Sequence, residues 1–218
     1  DGMVVHNTPE GQSVGVVKNI SYLATITVDS NSQPIQEYVN KQIIPLDEAE
    51  DIQKYVKVFI NGAWIGITKD PIQLYNSLKE KKHKGIINIY TSIVFNYKTK
   101  EIIICNDAGR LIRPVLKVKN NKILLTRDIV NKLKSEELQW DDLLSDCKID
   151  ESIIEYIDPR EQNASLIAMK TNDMNYSDSN FIRNYTHCEI HPSTIFGILA
   201  SCIPFPAHNQ APRLTYKC

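Results

Sequence analysis

The sequence predicts an α+β chain made of several small strand-rich modules with inserted helices. Two alternating apolar runs within residues 55–67 flank Asn61-Gly62, the preferred dipeptide of a two-residue type I′ hairpin turn. Asp70-Pro71 places an N-cap residue before a proline at the first helical position, which is typical of a helix start. Other runs of β-branched and apolar residues recur between short polar turns, as expected for strands.

Most of the predicted strands lie in the first half of the chain. The helix that starts at Asp70 is expected to end at Gly85, a favoured residue just past a helix C-terminus. The other predicted elements are a turn-rich segment 1–12, one or two buried strands in 14–28, a loop at 29–32, a helix at 34–41, and strands at 86–97, 101–105 and 111–118.

The second half is predicted to be more mixed. Three prolines, Pro204, Pro206 and Pro212, make the tail extended and irregular, since proline cannot continue a helix. The predicted elements are helices at 128–134 (capped by Thr126), 140–144 and 193–201, strands at 153–157 and 165–169 around a loop at 158–161, and a polar loop at 171–180.

Composition excludes several classes and identifies none. The 218 residues include 25 Lys+Arg and 26 Asp+Glu, so no overall basic field indicates nucleic acid as a partner. Hydrophobic residues at 42% fit an ordered globular protein rather than a disordered one. No apolar run approaches the roughly 18 residues that span a bilayer. Five scattered cysteines, without a secretory signal, indicate reduced thiols in an intracellular protein.

Three local patterns suggest chemistry and each has a plainer interpretation. His187 and His191, with Cys188 and His208, offer metal-ligand side chains, but Pro192 disfavours a continuous helix, so buried hydrogen-bonded histidines are the preferred interpretation. Cys188 or Cys202 with His191 or His208 would suit a nucleophilic site, yet nothing places a thiol in an oxyanion-hole turn. The basic run 79–84 fits either phosphate contact or, preferably, a solvated helix C-terminus.

The proline-stiffened tail is richer in functional groups than an ordinary loop. It combines amide side chains, a histidine and Arg213, and prolines reduce the entropy that is lost when such groups are held in place. Arg213 presents a planar fork of donors that matches phosphate oxygens. The tail is therefore a candidate phosphate-binding segment.

Several motifs follow one another along the chain. They are residues 8–11 (TPEG) with Gly15 and residues 17–19 (VKN), 58–66 (VFINGAWIG), 107–114 (DAGRLIRP), 155–158 (EYID), 187–193 (HCEIHPS), 203–206 (IPFP), 208–210 (HNQ), and Pro212-Arg213 with Tyr216. In this order and approximate spacing, they resemble the second-largest (β-type) subunit of multisubunit DNA-directed RNA polymerase, over essentially the whole chain. The tail resembles the eukaryotic, archaeal and large-DNA-virus type, and the Ile/Lys/Asn bias favours a viral member.

The resemblance implies that this chain is an internal piece of a larger multidomain subunit. Four parts are expected: the end of the fork region (1–29), two external modules (30–115 and 116–180), and the start of the hybrid-binding region (181–218). The implied partners are the largest polymerase subunit, other subunits, template DNA, the RNA–DNA hybrid and nucleoside triphosphates, with no membrane. The implied location is the nucleus or cytoplasm of the host cell, or a virion for a viral member.

The resemblance also implies roles for particular residues. Arg213 is expected to contact the phosphates of the incoming nucleoside triphosphate, and Glu10, His208 and Gln210 are expected to line the active centre. The catalytic Mg²⁺ would be held by the largest subunit, so the fragment alone is expected to be inactive and to supply no catalytic or metal-binding residue. The alternative function is a protein–protein docking module for transcription factors or other subunits.

Three positions depart from the family pattern. Asn7 and Ala207 stand where an acidic residue is usual, and Leu214 stands where an Asn is common after the arginine. The loss of two carboxylates leaves nearby positive groups less compensated. These departures affect the expected surroundings of Arg213 more than its own role.

Overall fold

The computed structural model describes residues 4–7, 17–49, 52, 54–175 and 184–209. Its mixed sheets and several short helices confirm the predicted α+β class. In chain order, the elements of the first half are β1 (Val4–Asn7), β2 (Val17–Ile20), β3 (Thr25–Ile26), α1 (Gln33–Asn40), β4 (Ile44–Pro45), a 3₁₀ turn (Leu46–Glu48), β5 (Val56–Ile60), β6 (Ala63–Thr68), α2 (Pro71–His83), β7 (Ser92–Asn96) and β8 (Glu101–Cys105).

The second half contains the longest described strand and a series of short elements. They are β9 (Leu111–Lys119), β10 (Lys122–Ile123), α3 (Arg127–Lys134), a 3₁₀ turn (Trp140–Leu143), β11 (Ile154–Ile157), α4 (Pro159–Ala164), β12 (Ile167–Ala168), a 3₁₀ turn (Thr171–Asn175), β13 (His187–Cys188), a 3₁₀ turn (Pro192–Ile195), α5 (Ile198–Ser201) and a 3₁₀ turn (Pro206–His208). Within the described ranges, no helix is long and apolar enough to cross a membrane.

The first sheet has five strands in the order β4-β6-β5-β8-β7, and all its pairs are antiparallel except β5–β8. Asn61 (φ +48°) and Gly62 (φ +82°) form the turn between β5 and β6, which confirms the predicted hairpin. The core lies on the side of the sheet that α1 and α2 cover, where Val39, Leu74 and Leu78 pack against Ile102 and Ile104 from β8.

Helix α2 begins and ends where the sequence predicts. Asp70 occupies the N-cap position and Pro71 the first turn, although the Asp70 side chain makes no capping hydrogen bond. At the other end, Gly85 (φ +71°) donates its N–H to the Lys82 carbonyl, and Ile86 donates to the Lys81 carbonyl. This pair of bonds is a Schellman motif, which needs the left-handed backbone that glycine adopts readily.

Strand β9 organises the second sheet. Its first residues pair with β3, its middle pairs with β11, and its end pairs with β13 and β10. β13 also pairs in parallel with β12. Because β9 follows β8 after only a short turn at 106–110, one continuous stretch of chain links the two sheets.

The structure corrects several predictions at the level of individual elements. Residues 14–28, expected to be buried strands, include β2 and β3, where Ile20 and Ile26 are exposed because these short strands lie at sheet edges. The strand predicted from residue 86 begins at Ser92, and the helix predicted for 193–201 is broken before Gly197. The predicted loop at 158–161 starts helix α4, because the Asp158 side chain accepts the Glu161 N–H at 2.7 Å and caps it.

Candidate functional site

Two lysines of the basic run are buried. Lys79 and Lys82 lie on the side of α2 that faces the second sheet, and the Lys82 side chain is 2% exposed. Only the neighbouring Lys84, which pairs with Glu80, is exposed together with its partner. The preferred prediction of a solvated helix end is therefore wrong for Lys79 and Lys82.

Two buried carboxylates neutralise these lysines. The Lys79 Nζ lies 2.7 Å from both Glu155 Oε1, on β11, and Glu161 Oε1, on α4. The Lys82 Nζ lies 3.3 Å from Glu155 Oε1 and 3.5 Å from Glu161 Oε2, and it donates to the Tyr156 carbonyl at 3.1 Å. Both ammonium groups are thus used by protein acceptors. This arrangement argues against the phosphate-binding interpretation of Lys79 and Lys82.

Two histidines complete what we call the charge cluster: Lys79, Lys82, His83, Glu155, Glu161 and His187. The His187 Nε2 lies 2.8 Å from Glu155 Oε2. The His83 Nε2 lies 3.6 Å from Glu155 Oε1, and its Nδ1 lies 3.3 Å from the Lys117 Nζ. The Glu155 carboxylate therefore has positive or proton-donating groups around it from α2 and from β13.

The charge cluster also closes the edge of the first sheet. Edge strand β7 has a backbone N–H at Ile93, and Glu161 Oε1 accepts it at 3.1 Å. Helix α4, which carries Glu161, packs against β7. An unpaired edge N–H is a pairing site for other chains, so Glu161 satisfies this donor and covers the edge at the same time.

A second set of ion pairs lies next to the cluster. The Arg113 Nη1 lies 2.6 Å from Glu189 Oε2, with side chains 7% and 4% exposed, and the Arg113 Nε donates to Gln162 at 2.9 Å. The Arg110 Nη2 donates to the Tyr90 carbonyl at 2.8 Å. Three motifs that are far apart in sequence, 107–114, 155–158 and 187–193, therefore meet in one place.

The electrostatics of the cluster favour the charged forms of its central pair. Burial alone would raise the pKa of Glu155, but Lys79 and Lys82, with hydrogen bonds from His187 and His83, hold it well below its usual range. Burial alone would lower the pKa of Lys79, and the carboxylates of Glu155 and Glu161 outweigh it, so this pKa lies well above its usual range. The pair is ionised across the neutral range.

A cleft of about 370 Å³ opens beside the charge cluster. Lys79, Glu155, Glu161 and His187 contribute to its wall, together with Lys117. Burial lowers the pKa of Lys117 from its ordinary value, and nearby carboxylates only partly offset this effect. The groups on this wall already bond one another, so the arrangement is suited to holding two sheets together rather than to proton transfer or ligand binding.

The structure separates the residues of the proposed metal and nucleophilic sites. His187 bonds Glu155 in β13, whereas His191 caps the next 3₁₀ turn by accepting the Ser193 N–H at 3.2 Å. Among the described residues, no group of three or more His, Cys, Asp or Glu could hold a metal ion. Burial, with Glu189 and Asp173 nearby, raises the pKa of the Cys188 thiol, which is the opposite of nucleophile activation.

Of the predicted active-centre residues, the structure describes only His208. It is exposed in the last 3₁₀ turn, with its ring edge-on to Phe205 at 5.7 Å between centroids. Ala207 precedes it and is also exposed, and Asn7 is the last residue of β1. The predicted residues Glu10, Gln210, Arg213 and Leu214 lie outside the described residues.

The described ends of the chain lie against each other. The Tyr22 N–H donates to the Phe196 carbonyl at 2.9 Å. One residue further on, a Cβ added at Gly197 would lie 2.9 Å from the Ile20 carbonyl oxygen. The segment that follows β2 and the segment that precedes α5 are therefore in direct backbone contact.

Sequence reasoning missed the charge cluster, although part of its signal is present. Lys82 follows Leu74 and Leu78 at four-residue steps, so it continues the apolar stripe of α2 into the core. Asp158, Pro159 and Glu161 repeat the N-cap, proline and first-turn acid pattern of a helix start. Nothing local in the sequence indicates that these two segments, 76 to 82 residues apart, would meet.

Comparison with known proteins agrees with this arrangement of motifs. The family model "RNA polymerase Rpb2, domain 4" matches residues 58–119, and "RNA polymerase Rpb2, domain 5" matches residues 140–192. The chain is 43% identical over 216 residues to the DNA-directed RNA polymerase II subunit RPB2 of Encephalitozoon cuniculi, covering 96% of this chain and 18% of that protein.

Relatives from other lineages align over a similar share. DNA-directed RNA polymerase subunit 2 of Acanthamoeba polyphaga mimivirus is 36% identical (94% of this chain, 19% of that protein), and subunit Rpo2 of Sulfolobus acidocaldarius is 32% identical (99% and 19%). These matches define a component of a multisubunit RNA polymerase. The chain belongs to the family of second-largest, RPB2-type subunits, and it spans about one fifth of the length of these relatives.

Replacement of Glu155 by Gln tests the electrostatic role of the cluster. Breaking one partner of a buried ion pair costs about 3–5 kcal/mol, so the free energy of unfolding should fall by that order at pH 7. The low pKa of Glu155 in the folded chain contributes stability above the unfolded-state value of about 4.3, and this contribution is lost as pH falls through the folded-state pKa. Glu155→Gln should therefore flatten the loss of stability in acid, measured by urea unfolding at a series of pH values.

The matched control is Glu80→Gln, which removes the carboxylate of an exposed pair on the same helix. It should leave the unfolding midpoint near that of the wild type, since exposed ion pairs contribute little. Equal effects of the two substitutions, or an unchanged acid dependence in Glu155→Gln, would contradict the role assigned to the cluster.

Proposed function

We propose that this chain acts as part of a DNA-directed RNA polymerase, in DNA-templated RNA synthesis by nucleotidyl transfer. In that reaction the RNA 3′-hydroxyl attacks the α-phosphorus of a nucleoside triphosphate and releases pyrophosphate. The observation that carries the proposal is the near-complete alignment with second-largest subunits from a eukaryote, a virus and an archaeon. The relatives bear the name DNA-directed RNA polymerase, and the activity comes to this chain by that relationship.

Within the polymerase, this segment would help to line the active centre and position the nucleotide. Arg213 would bind the triphosphate, and its guanidinium would stabilise charge on the leaving pyrophosphate without proton transfer. Glu10, His208 and Gln210 would line the same centre. The backbone contact of Tyr22 with Phe196 supports this proposal, because the segments that lead towards Glu10 and towards Arg213 start from neighbouring points.

The Mg²⁺ of the reaction is proposed to be held by the largest subunit. The side chains in the described part of this chain do not fit a metal site, since no suitable group of three ligands occurs there. The chemistry assigned to this chain is therefore binding and orientation of the nucleotide, by Arg213 and the residues around it.

The proposed division of the chain follows the parts of the subunit. The end of the fork region would comprise 1–29, the external modules 30–115 and 116–180, and the start of the hybrid-binding region 181–218. Partners would be the largest and other polymerase subunits, template DNA and the RNA–DNA hybrid. The complex would act inside the cell, in the nucleus or cytoplasm, or in a virion if the chain is viral.

A docking function is the second candidate, and exposed apolar side chains favour it. Phe196, Ile198, Leu199 and Phe205 are 51–75% exposed near the end of the described chain. Single exposed apolar residues are normal, but a contiguous group marks an interaction surface. If this surface docks accessory factors or other subunits, Ile198→Ser with Leu199→Ser should reduce their capture from solution by the purified chain, while Ile72→Ser, which is 65% exposed on α2, should not.

The Arg213 assignment predicts a specific kinetic defect. In the assembled polymerase, Arg213→Ala should raise the KM for nucleotides or slow addition, lowering kcat/KM by about 10²-fold, as for other removed charge-stabilising donors. Arg213→Lys should give an intermediate loss, since lysine keeps the charge without the fork geometry. Single-nucleotide addition kinetics measure both.

Arg127→Ala is the control, because Arg127 is exposed on α3. It should leave the kinetics unchanged. Wild-type kinetics in Arg213→Ala would contradict the proposed nucleotide contact.

A further inference from the structure

Gly197 lies where the two described ends of the chain touch. It is the N-cap of α5, and its added Cβ would come within 2.9 Å of the Ile20 carbonyl oxygen and 3.6 Å of the Asn19 Cβ. Real Cβ atoms essentially never come within 3.0 Å of another heavy atom. The contact is with main chain rather than with a flexible side chain, so β2 or α5 would have to move to admit a methyl group.

The backbone of Gly197 does not itself require glycine. Its φ of −78° and ψ of 179° are ordinary extended values that any residue adopts. An alanine at this position would therefore introduce a steric contact with Ile20 and no backbone strain. The substitution changes only the spacing between the two segments.

The two segments lead to the proposed active-centre residues. Strand β2 ends at Ile20 and follows the segment that contains Glu10, while α5 precedes His208, Gln210 and Arg213. The Tyr22 N–H bond to the Phe196 carbonyl, 2.9 Å long, sets the same spacing one residue away. A shift at Gly197 would therefore be transmitted to the nucleotide-binding tail.

We propose that Gly197 is a positioning residue that fixes the tail carrying Arg213 against the β2 segment, and so sets the affinity of the polymerase for nucleoside triphosphates. This inference rests on the proposed function of Arg213. Gly197 acts through the main-chain contact and does not touch the nucleotide. A misplacement of about 1 Å in a substrate-holding group costs up to about 10²-fold, so a close contact of this kind is enough to weaken binding.

The test is single-nucleotide addition by the assembled polymerase, with rates normalised to titrated active sites. Gly197→Ala should raise the KM for nucleotides about tenfold and change kcat much less. A merely structural role would lower the number of active sites and leave KM unchanged. Cys202→Ala, at the exposed end of α5, is the control and should change neither constant.

Two further variants separate the possible outcomes. Tyr22→Pro removes the N–H donor from the same contact and should raise KM in the same way, which keeps the test valid if Gly197→Ala assembles poorly. In an Arg213→Ala background, Gly197→Ala should add less than about a twofold effect, since coupled positions are not additive.

The two proposals fail in different ways. If Arg213→Ala raises KM but Gly197→Ala and Tyr22→Pro do not, the positioning role of Gly197 is overturned and the nucleotide contact stands. If Arg213→Ala leaves KM unchanged, the nucleotide contact fails and the positioning role fails with it. Full additivity of Gly197→Ala with Arg213→Ala would also overturn the positioning role.

Discussion

The Glu155 carboxylate is the group on which the arrangement of the two sheets depends. It is buried on β11 of the second sheet, yet its partners Lys79 and Lys82 belong to the helix that covers the first sheet. An isolated buried charge costs several kcal/mol, so neither the lysines nor the carboxylate could remain buried without the other. The position of α2 over the first sheet is therefore tied to the position of β11 in the second.

This dependence extends to the segment that leads to the proposed active centre. His187 bonds the second oxygen of Glu155, and Glu189 pairs with Arg113 on β9. Both residues precede Gly197 and the tail, so the segment that carries the tail is anchored on the same network. Motif residues in the middle of the chain hold the modules together, whereas the residues assigned to nucleotide binding lie near the two ends.

Local sequence signals predicted elements well wherever the determining interactions are short-range. Asn61-Gly62 specifies its hairpin and Gly85 ends α2, because in both cases the backbone conformation is set by the residue itself. The same logic applies to Asp158-Pro159, which we interpreted as a loop and which starts α4. That error reflects a missed signal rather than a missing one.

The candidate site depended more on long-range contacts, which the sequence does not encode in a local pattern. The burial of Lys79 follows from carboxylates 76 and 82 residues away, so a helix-end lysine could not be distinguished from a solvated one. The family resemblance, in contrast, rested on several short motifs, and the relatives confirm it. The roles of Glu10, Gln210 and Arg213 stay predictions, since these residues lie outside the described part of the chain.

Unfolding of the 218-residue chain, followed separately in each module, tests most directly whether the charge cluster joins the two sheets. The chain has two tryptophans, Trp64 in β6 and Trp140 beside the second sheet, so Trp140→Phe and Trp64→Phe leave one reporter in each module. The account predicts that the two fluorescence transitions in urea coincide, and that they separate when Glu155→Gln is added. Separate transitions in the presence of an intact cluster, or coincident and unshifted transitions after Glu155→Gln, would contradict it.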